Sequence, residues 1–399
     1  MLATSPTRFV TPLTVFLAVF AAIPAWSQTL DLQGQLSAWT IFNFEASTPS
    51  VFGVRYLPTF TVDKALPEDR KADVELSANA YGAGPLGEAT GVEASGKLKP
   101  YRAWGRYKTS RYEVRVGLQK LNFGSATLLR PLMWFDSVDP RDPLQITDGV
   151  YAGLFRYYLP NKATIWAWGL YGNTSLKGSE TNPTREHTPE FGGRFEAPVP
   201  RGQLAFTTHH READLSRGVI GTLDLQSAFT PEHRYGLDGK WDVGIGLWFE
   251  GMVSHQTATG VPRPDQRALD IGADYTFGLG NGLYVLGEYF LFDSTSSILG
   301  PGQGARLVAA TFRYPVGLLD SVSGITYFDT GRRESYRFVN WQRTYDRWQF
   351  YFMGFWNPRQ AAIQPGGGAG EGGTSAGRSP LSGRGVQLMA VFNHHWVRR

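Results

Sequence analysis

The feature that most constrains this chain is a two-residue alternation of apolar and polar side chains, repeated along most of its length. Residues 111–121 show it best, with Tyr112 and Val114 on one face of an extended strand and Glu113 and Arg115 on the other. A strand separates neighbouring residues onto opposite faces, whereas a helix would mix the two sets. The sequence therefore predicts an all-β fold.

The same alternation recurs in other stretches: 71–81, 148–159, 233–241, 266–277 and 305–314. A soluble β-sandwich also alternates, so two further features are needed to favour a transmembrane barrel. Aromatic residues cluster near the ends of the predicted strands, as in the girdles of barrels at the membrane interfaces. Tight turns also alternate with long connections, which is the rhythm of short periplasmic turns and long outer loops. The mean hydropathy of -0.25 argues against a helical membrane protein but suits a barrel.

Counting strands by this rhythm gives a transmembrane antiparallel up-and-down β-barrel of eighteen strands, with sixteen as the alternative. The predicted strands are 33–45, 51–62, 71–81, 97–108, 111–121, 148–159, 163–172, 188–198, 203–210, 233–241, 244–256, 266–277, 283–292, 305–314, 322–330, 335–345, 347–357 and 384–396. The weakest assignment is 218–230, treated as loop although it could be another strand. An even count places both ends of the barrel in the periplasm. Residues 365–378 are glycine-rich and are predicted to form an outer loop of low complexity.

The N-terminal segment 1–27 has the pattern of a signal peptide. Arg8 supplies the positive charge, 10–23 is mostly apolar, and Ala25 and Ser27 are small residues at the positions that signal peptidase reads. The alternative is a membrane anchor, but the apolar run is shorter than the roughly 20 residues that a spanning helix needs. We therefore expect export and a single barrel domain over 28–399.

Composition excludes several classes of function. The chain has no cysteine, which excludes a disulfide framework, a thiolate metal site and a catalytic thiol. Its net charge of +4 is interleaved with acidic residues and not gathered into a run, so nucleic-acid binding is not expected. The adjacent pairs at 209–210 and 394–395 are histidines whose rings should point to opposite faces of a strand, which disfavours a shared metal. The sequence predicts neither an enzyme nor a cofactor.

If the apolar face meets lipid, the charged face must line the interior, because an Arg or Lys facing the middle of the bilayer costs roughly +2–4 kcal/mol. The predicted inward residues are Asp73, Glu75, Arg102, Arg106, Glu113, Arg115, Arg156, Asp238, Lys240, Glu250, Asp270, Asp274, Glu288 and Arg313. Four of them, Arg102, Arg106, Arg115 and Arg156, predict a basic wall, with Glu113 beside them. Four others, Glu250, Asp270, Asp274 and Glu288, predict an acidic wall about half a barrel away. Opposed walls would orient polar solutes in a transverse field; the equally weighted alternative is a ladder of structural salt bridges.

The long connection 122–147 is unusually apolar for a loop. An apolar loop needs a surface to pack on, and long ordered loops are often functional. We therefore expect it to fold into the barrel and form a constriction; the alternative is a loop that packs over the rim. The charged residues expected to line this constriction are Arg130, Asp136, Asp139, Arg141 and Asp142.

The run Gly117-Leu118-Gln119-Lys120-Leu121-Asn122-Phe123-Gly124, followed by an Asp-Pro-rich loop, resembles the GxQxLxxG strand end of several outer-membrane porin families. The alginate-export family and related barrels are the most similar. This resemblance implies a substrate-selective channel in the outer membrane of a Gram-negative-type bacterium. Many such proteins end in an aromatic residue that the barrel-assembly machinery reads, whereas here Trp396 is followed by three more residues.

The sequence thus predicts an outer-membrane channel for small polar or anionic solutes, with membrane lipid, solute and the barrel-assembly machinery as its partners. The alternative is a plugged barrel with a structural, adhesive or hydrolase role. The oligomeric state, the solute and the gating are left open.

Overall fold

The computed structural model describes residues 28–45, 50–86, 94–217, 228–257, 263–359 and 379–398. Its strands are β1 (Gln28–Asn43), β2 (Val51–Leu66), β3 (Arg70–Pro85), β4 (Ser95–Lys108), β5 (Tyr112–Gln119), β6 (Val150–Tyr158), β7 (Thr164–Leu170), β8 (Glu190–Val199), β9 (Gly202–Asp214), β10 (Phe229–Asp242), β11 (Gly246–Gln256), β12 (Asp265–Phe277), β13 (Leu283–Thr295), β14 (Gly302–Pro315), β15 (Asp320–Asp329), β16 (Glu334–Thr344), β17 (Trp348–Trp356) and β18 (Arg384–Arg398). The described part also contains a short 3₁₀ turn, Leu215–Arg217.

The sheet closes on itself because each strand pairs antiparallel with its sequence neighbours and β1 pairs with β18, from Leu30 opposite Arg398 to Asn43 opposite Gly385. Closure leaves no open sheet edge, as a sheet in lipid requires. The predicted all-β barrel of eighteen antiparallel strands is confirmed. In the described ranges, no helix has the length and apolar character needed to cross a membrane.

The alternation in sequence becomes an outside and an inside in the fold. On β5 and β6, Val116 and Phe155 are exposed on the outer surface, whereas Glu113 and Leu154 on the opposite face are buried. The same holds on β10, where Leu237 is exposed and the next residue, Asp238, is buried. An apolar exterior around a charged interior is the arrangement that suits a barrel in a bilayer.

Two prolines coincide with the irregularities of the sheet. Pro58 has no backbone N–H to donate, and the β2–β3 ladder is interrupted between Tyr56 and Thr59. Pro100 lies where the register of β3 with β4 shifts, between Ser77 and Ala78. These prolines therefore sit at bulged sites of the ladder, where a missing donor is tolerated.

Long and short connections lie at opposite ends of the barrel, as predicted. The end at which β1 begins carries short turns such as 67–69 and 200–201, whereas the other end carries 120–149 and 171–189. Both termini of the barrel lie at the short-turn end, which we call the periplasmic end.

The predicted boundaries are wrong on both sides of 211–232, which we expected to be a loop. Strand β9 continues to Asp214 instead of ending at 210, and β10 already begins at Phe229. The predicted signal peptide, the part 218–227 of the questioned stretch 218–230, and the glycine-rich segment 365–378 lie outside the described residues.

Candidate functional site: two loops folded into the barrel

The β5–β6 loop, residues 120–149, crosses the barrel interior and is held on the far wall by Glu250 of β11. One carboxylate oxygen of Glu250 accepts hydrogen bonds from the backbone N–H groups of Ser125 at 2.8 Å and Ala126 at 2.9 Å. The other accepts from the N–H of Leu132 at 2.5 Å. The loop approaches so closely that a Cβ on Gly124, which has φ of 103°, would lie 2.3 Å from that carboxylate. Only glycine fits this position.

Glu288 of β13 holds the next turn of the same loop. Its two oxygens accept hydrogen bonds from the N–H groups of Thr127 at 2.7 Å, Leu128 at 2.9 Å and Leu129 at 2.7 Å. Together, Glu250 and Glu288 accept hydrogen bonds from six backbone N–H groups of the loop, those of 125–129 and 132. None of these N–H groups belongs to a strand. Hydrogen bonds to a charged acceptor are roughly twice as strong as neutral ones, so this anchorage fixes the loop firmly.

Apolar packing fixes both sides of the loop. Phe123 lies 5.5 Å, between ring centroids, from both Trp134 of the loop and Trp168 of β7. On the other side, Leu128 and Leu129 belong to a buried cluster with side chains of β11 and β13 to β17. The apolar composition that marked this loop in the sequence is thus used against the inner walls, which is the inward fold that we expected.

The charged residues expected to line a constriction mostly pair with one another. Arg130 contacts Asp136 at 2.7 Å, and Arg141 binds Asp139 through two nitrogens. Asp136 is fully buried, whereas Asp139 and Arg141 remain partly accessible. Asp142 accepts hydrogen bonds from two N–H groups of its own loop. These residues therefore brace the loop, and Asp139 with Arg141 is the pair that stays accessible.

The fold shifts the pKa of one carboxyl group of this loop, that of Asp142. Burial raises the pKa of Asp142 above its ordinary value, and the N–H groups of Leu144 and Ile146 and the charge of Arg55 oppose this only in part. The docked loop therefore favours the protonated form of Asp142 more than an undocked, hydrated loop would.

The β7–β8 loop, residues 171–189, also folds inward and packs on the first loop. The N–H of Ser179 donates to the carbonyl of Met133 at 2.9 Å. The neighbouring Glu180 is fully buried and lies 3.1 Å from Arg211 of β9 and 3.4 Å from Arg234 of β10. The second loop is thus tied both to the first loop and to the wall.

A buried ionic network surrounds that contact, and the sequence did not predict it. Lys177 lies 3.0 Å from Glu190, which also contacts the His209 ring at 3.1 Å. Glu232 joins the same network through Arg211 at 2.9 Å. The signal was present at 207–211, where every second residue faces inward, but the strand was expected to end at 210.

Arg106, Arg115 and Arg156, three of the residues predicted to form a basic wall, lie on β4, β5 and β6 beside buried carboxylates. Arg106 contacts Asp73 at 3.0 Å; Arg115 and Arg156 lie 2.9 and 3.8 Å from Glu113. The Asp73 and Glu113 side chains are 2% and 3% exposed, whereas Arg106, Arg115 and Arg156 are 22%, 16% and 21% exposed. Water in the barrel therefore meets the guanidinium groups and not their carboxylates.

Aromatic rings hold these guanidinium groups in place. Arg156 stacks 3.8 Å from the Trp166 centroid, and Arg115 lies 4.8 Å from Trp104. Arg102, the fourth predicted residue, is more buried and donates to the carbonyl of Thr147 at 2.9 Å. Arg102 therefore fixes the end of the β5–β6 loop.

Glu250 and Glu288, two of the residues predicted to form an acidic wall, lie beneath the β5–β6 loop. Glu250, Asp270 and Glu288 are at most 3% exposed. Asp270 is fully buried between the other two, and neither of its oxygens has a hydrogen-bond partner in the described part of the chain. Asp274, nearer the periplasmic end, is partly exposed and accepts from the hydroxyl of Tyr284. The two walls do not face each other across open water.

The histidine pairs are split between faces, as expected. His209 points inward, whereas the outward His210 contacts His233 at 3.2 Å. Among the described residues, no group of three or more His, Asp or Glu could hold a metal ion. Ser216 donates its hydroxyl to Asp214 at 2.6 Å.

The closed antiparallel sheet, its apolar exterior and its inward-folded loops define a β-barrel of the transmembrane type. Three solved structures are similar in fold over nearly their whole length. OccAB1 from Acinetobacter baumannii has a TM-score of 0.54 at 9% identity, covering 93% of this chain and 97% of that one. OccK5 (OpdH) from Pseudomonas aeruginosa has a TM-score of 0.53 at 11% identity, covering 93% and 98%.

The third, OccAB4 from Acinetobacter baumannii, has a TM-score of 0.52 at 10% identity, covering 93% of this chain and 99% of that one. No protein-family model and no curated protein sequence matches the chain. At such identities the likeness establishes the fold alone.

Proposed function

We propose that the protein is a porin-like channel for small polar solutes, that it prefers anions, and that the β5–β6 loop forms its constriction. One observation carries this proposal. The loop covers the carboxylates of one wall, whereas the guanidinium groups of the other wall remain accessible to water.

The preference for anions follows from this unequal exposure. A solute in the interior approaches Arg106, Arg115 and Arg156 directly, but it is separated from Glu250 and Glu288 by the backbone of the loop. A ring or wall of accessible Arg side chains favours anions in a pore. Low-dielectric protein walls strengthen that field.

The test is a reversal-potential measurement on the purified barrel in planar bilayers under a potassium chloride gradient. We expect a chloride preference, which should fall when Arg115 and Arg156 are both replaced by Gln. The matched control is Arg343→Gln: Arg343 also pairs with a carboxylate, Asp320 at 3.5 Å, but lies on the outer surface at the periplasmic end. Equal reversal potentials in the parent and the double variant would refute the anion preference.

The density of packing inside the barrel favours one alternative, a closed plug. Buried carboxylates anchor the β5–β6 loop and buried ion pairs anchor the β7–β8 loop, and Arg211 and Glu180 are almost inaccessible to water. A folded barrel that stays silent in the same bilayers, and conducts only after the β5–β6 loop is released, would support the plug and contradict the open channel.

A further inference from the structure

A groove on the outer surface of the barrel, away from the interior, has the shape and chemistry of a lipid site. The groove has a volume of about 570 Å³ and is lined by outward side chains of β9 to β13, among them Phe206, Tyr235, Leu237, Leu269 and Leu291. It lies on the face that the bilayer covers.

A single missing side chain makes the groove. Gly251 of β11 stands in register between Leu237 of β10 and Leu269 of β12. All three lie on the outer face, so the glycine leaves a trough between two leucine side chains. A Cβ at Gly251 would have only ordinary contacts, the nearest at 3.7 Å, so the backbone does not require glycine there. Apolar side chains therefore border this trough on both sides.

Basic side chains border the groove on the side of the long loops. Arg267 of β12 and Arg306 of β14 both contact Asp293 of β13, at 3.2 and 3.5 Å. One step closer to the rim, the ring of His255 contacts Asp265. All five residues lie on the outer face of their strands.

In this group the acidic side chains are largely buried and the basic side chains are exposed. Asp293 and Asp265 are 10% and 7% exposed, whereas Arg267, Arg306 and His255 are 35%, 47% and 46% exposed. A molecule at the surface therefore meets three nitrogen donors held in place from beneath. Guanidinium forks match the geometry of phosphate oxygens and bind them by charge-assisted hydrogen bonds.

We propose that this groove binds one phosphorylated, acylated lipid from the leaflet at the long-loop end of the barrel. The phosphate lies on Arg267 and Arg306, with His255 beside it, and one acyl chain lies in the trough over Gly251. Charged side chains this near the lipid face are costly in hydrocarbon and belong at the level of the headgroups. A phosphate there completes their hydrogen bonding, and the acyl chain fills the gap in the apolar surface.

A second outer groove serves as an internal comparison. It has a volume of about 430 Å³, and its lining, which includes Trp39, Phe52, Trp341, Phe352 and Ala390, contains no charged side chain. It provides apolar surface without a headgroup site. If acyl packing alone retained lipid, both grooves would do so equally.

The test is native mass spectrometry of the full barrel released from detergent after incubation with diphosphoryl lipid A. Parallel incubations use phosphatidylethanolamine, which is zwitterionic, and inorganic phosphate alone. We expect retention of one molecule of diphosphoryl lipid A, with at least tenfold less retention in R267Q/R306Q. Inorganic phosphate should not remain bound, because it lacks the chain.

Two further variants separate the roles of headgroup and chain. Gly251→Leu fills the trough and should also lower retention, although it leaves every charge in place; Ala390→Leu fills the second groove and should not. Arg343→Gln is the charge control, and the heat-dependent mobility of the folded barrel on gels shows that each variant has folded.

Equal retention by the parent, R267Q/R306Q and Gly251→Leu would overturn the proposal. So would equal retention of phosphatidylethanolamine, or a barrel dimer whose formation Gly251→Leu abolishes, since the occupant would then be a second copy of the chain. None of these readouts depends on conductance, so the result stands apart from the proposed channel.

Discussion

Removing the carboxylate of Glu288 should release the β5–β6 loop from the wall of the barrel. In Glu288→Ala, the backbone N–H groups of Thr127, Leu128 and Leu129 all lose their acceptor. A hydrogen bond to a charged group contributes a net of about 1.5–3 kcal/mol. Three such bonds would give roughly 4–9 kcal/mol if they added.

The lower end of that range is the better expectation, because the three bonds share one carboxylate and water can hydrate the loop once it is released. About 4 kcal/mol corresponds to roughly a thousandfold change in the equilibrium between docked and released loop. Glu288→Gln keeps one carbonyl oxygen for Leu128 and Leu129 but turns an amide NH₂ toward Thr127, so it should cost about 1.5–3 kcal/mol.

The assay is single-channel recording in planar bilayers. The Ala variant should show a larger and noisier conductance than the parent, and the Gln variant should fall between them. The control is Glu212→Ala, which removes a partly exposed pair with Arg185 and should cost at most about 1 kcal/mol without changing conductance. If folded Glu288→Ala conducts as the parent does, the loop is not held by these bonds and the reasoning is wrong.

Three further substitutions test the same interior. Asp270→Asn removes a buried carboxylate that lies between Glu250 and Glu288 without a hydrogen-bond partner in the described part, so it should raise the melting temperature followed by circular dichroism. Gly178→Ala should cost roughly 1–3 kcal/mol in the contact between the loops and speed limited proteolysis, because φ is 48° and the new Cβ would lie 2.1 Å from the Met133 carbonyl. Docking of the loop raises the pKa of Asp142, so docking is favoured below that pKa and weakened as the pH rises through it. Channel noise should therefore increase with pH. Asp142→Asn should flatten this pH dependence.

The barrel could be predicted from the sequence because neighbouring residues of each strand alternate between its lipid-facing side and its interior side. The alternation is kept in the fold where Glu113 is buried and Val116 is exposed, and where Asp270 is buried between exposed Leu269 and Ile271. The pattern failed at β9 and β10, where His210 and Glu212 face outward near the rim. Where both faces of a strand are polar there is no apolar–polar alternation. The ends of β9 and β10 were therefore predicted to be loop.

The candidate site was predictable only in its side chains. Parity along the strands identifies Glu250 and Glu288 as inward residues, but their partners are backbone N–H groups of the β5–β6 loop. Every residue except proline has such a group, so no residue pattern marks the pairing. The apolar composition of the loop indicates that it packs on something, but it does not say on which wall.

The buried network of Lys177, Glu180 and Arg211 was missed for a related reason. Its members come from a loop and from a strand end that was not recognised, so no strand parity relates them. Burying these charges is favourable only when each meets a partner of opposite charge. Such a condition is met in three dimensions, and the alternation at 207–211 marks only the strand residues as inward, not their partners in the loop.

A buried acidic side chain beneath an exposed basic one occurs on both the inner and the outer surface of the barrel. On the inner wall, Glu113 lies beneath Arg115, and on the outer surface Asp293 lies beneath Arg267. In each pair the formal charges cancel, yet the exposed group is the cation. A formal net charge of only +4 is therefore a poor guide to what such a protein attracts. The charge that a solute meets depends on which member of each pair the fold leaves accessible. Replacing an accessible Arg should therefore change the ion selectivity more than replacing a buried acid of the covered wall.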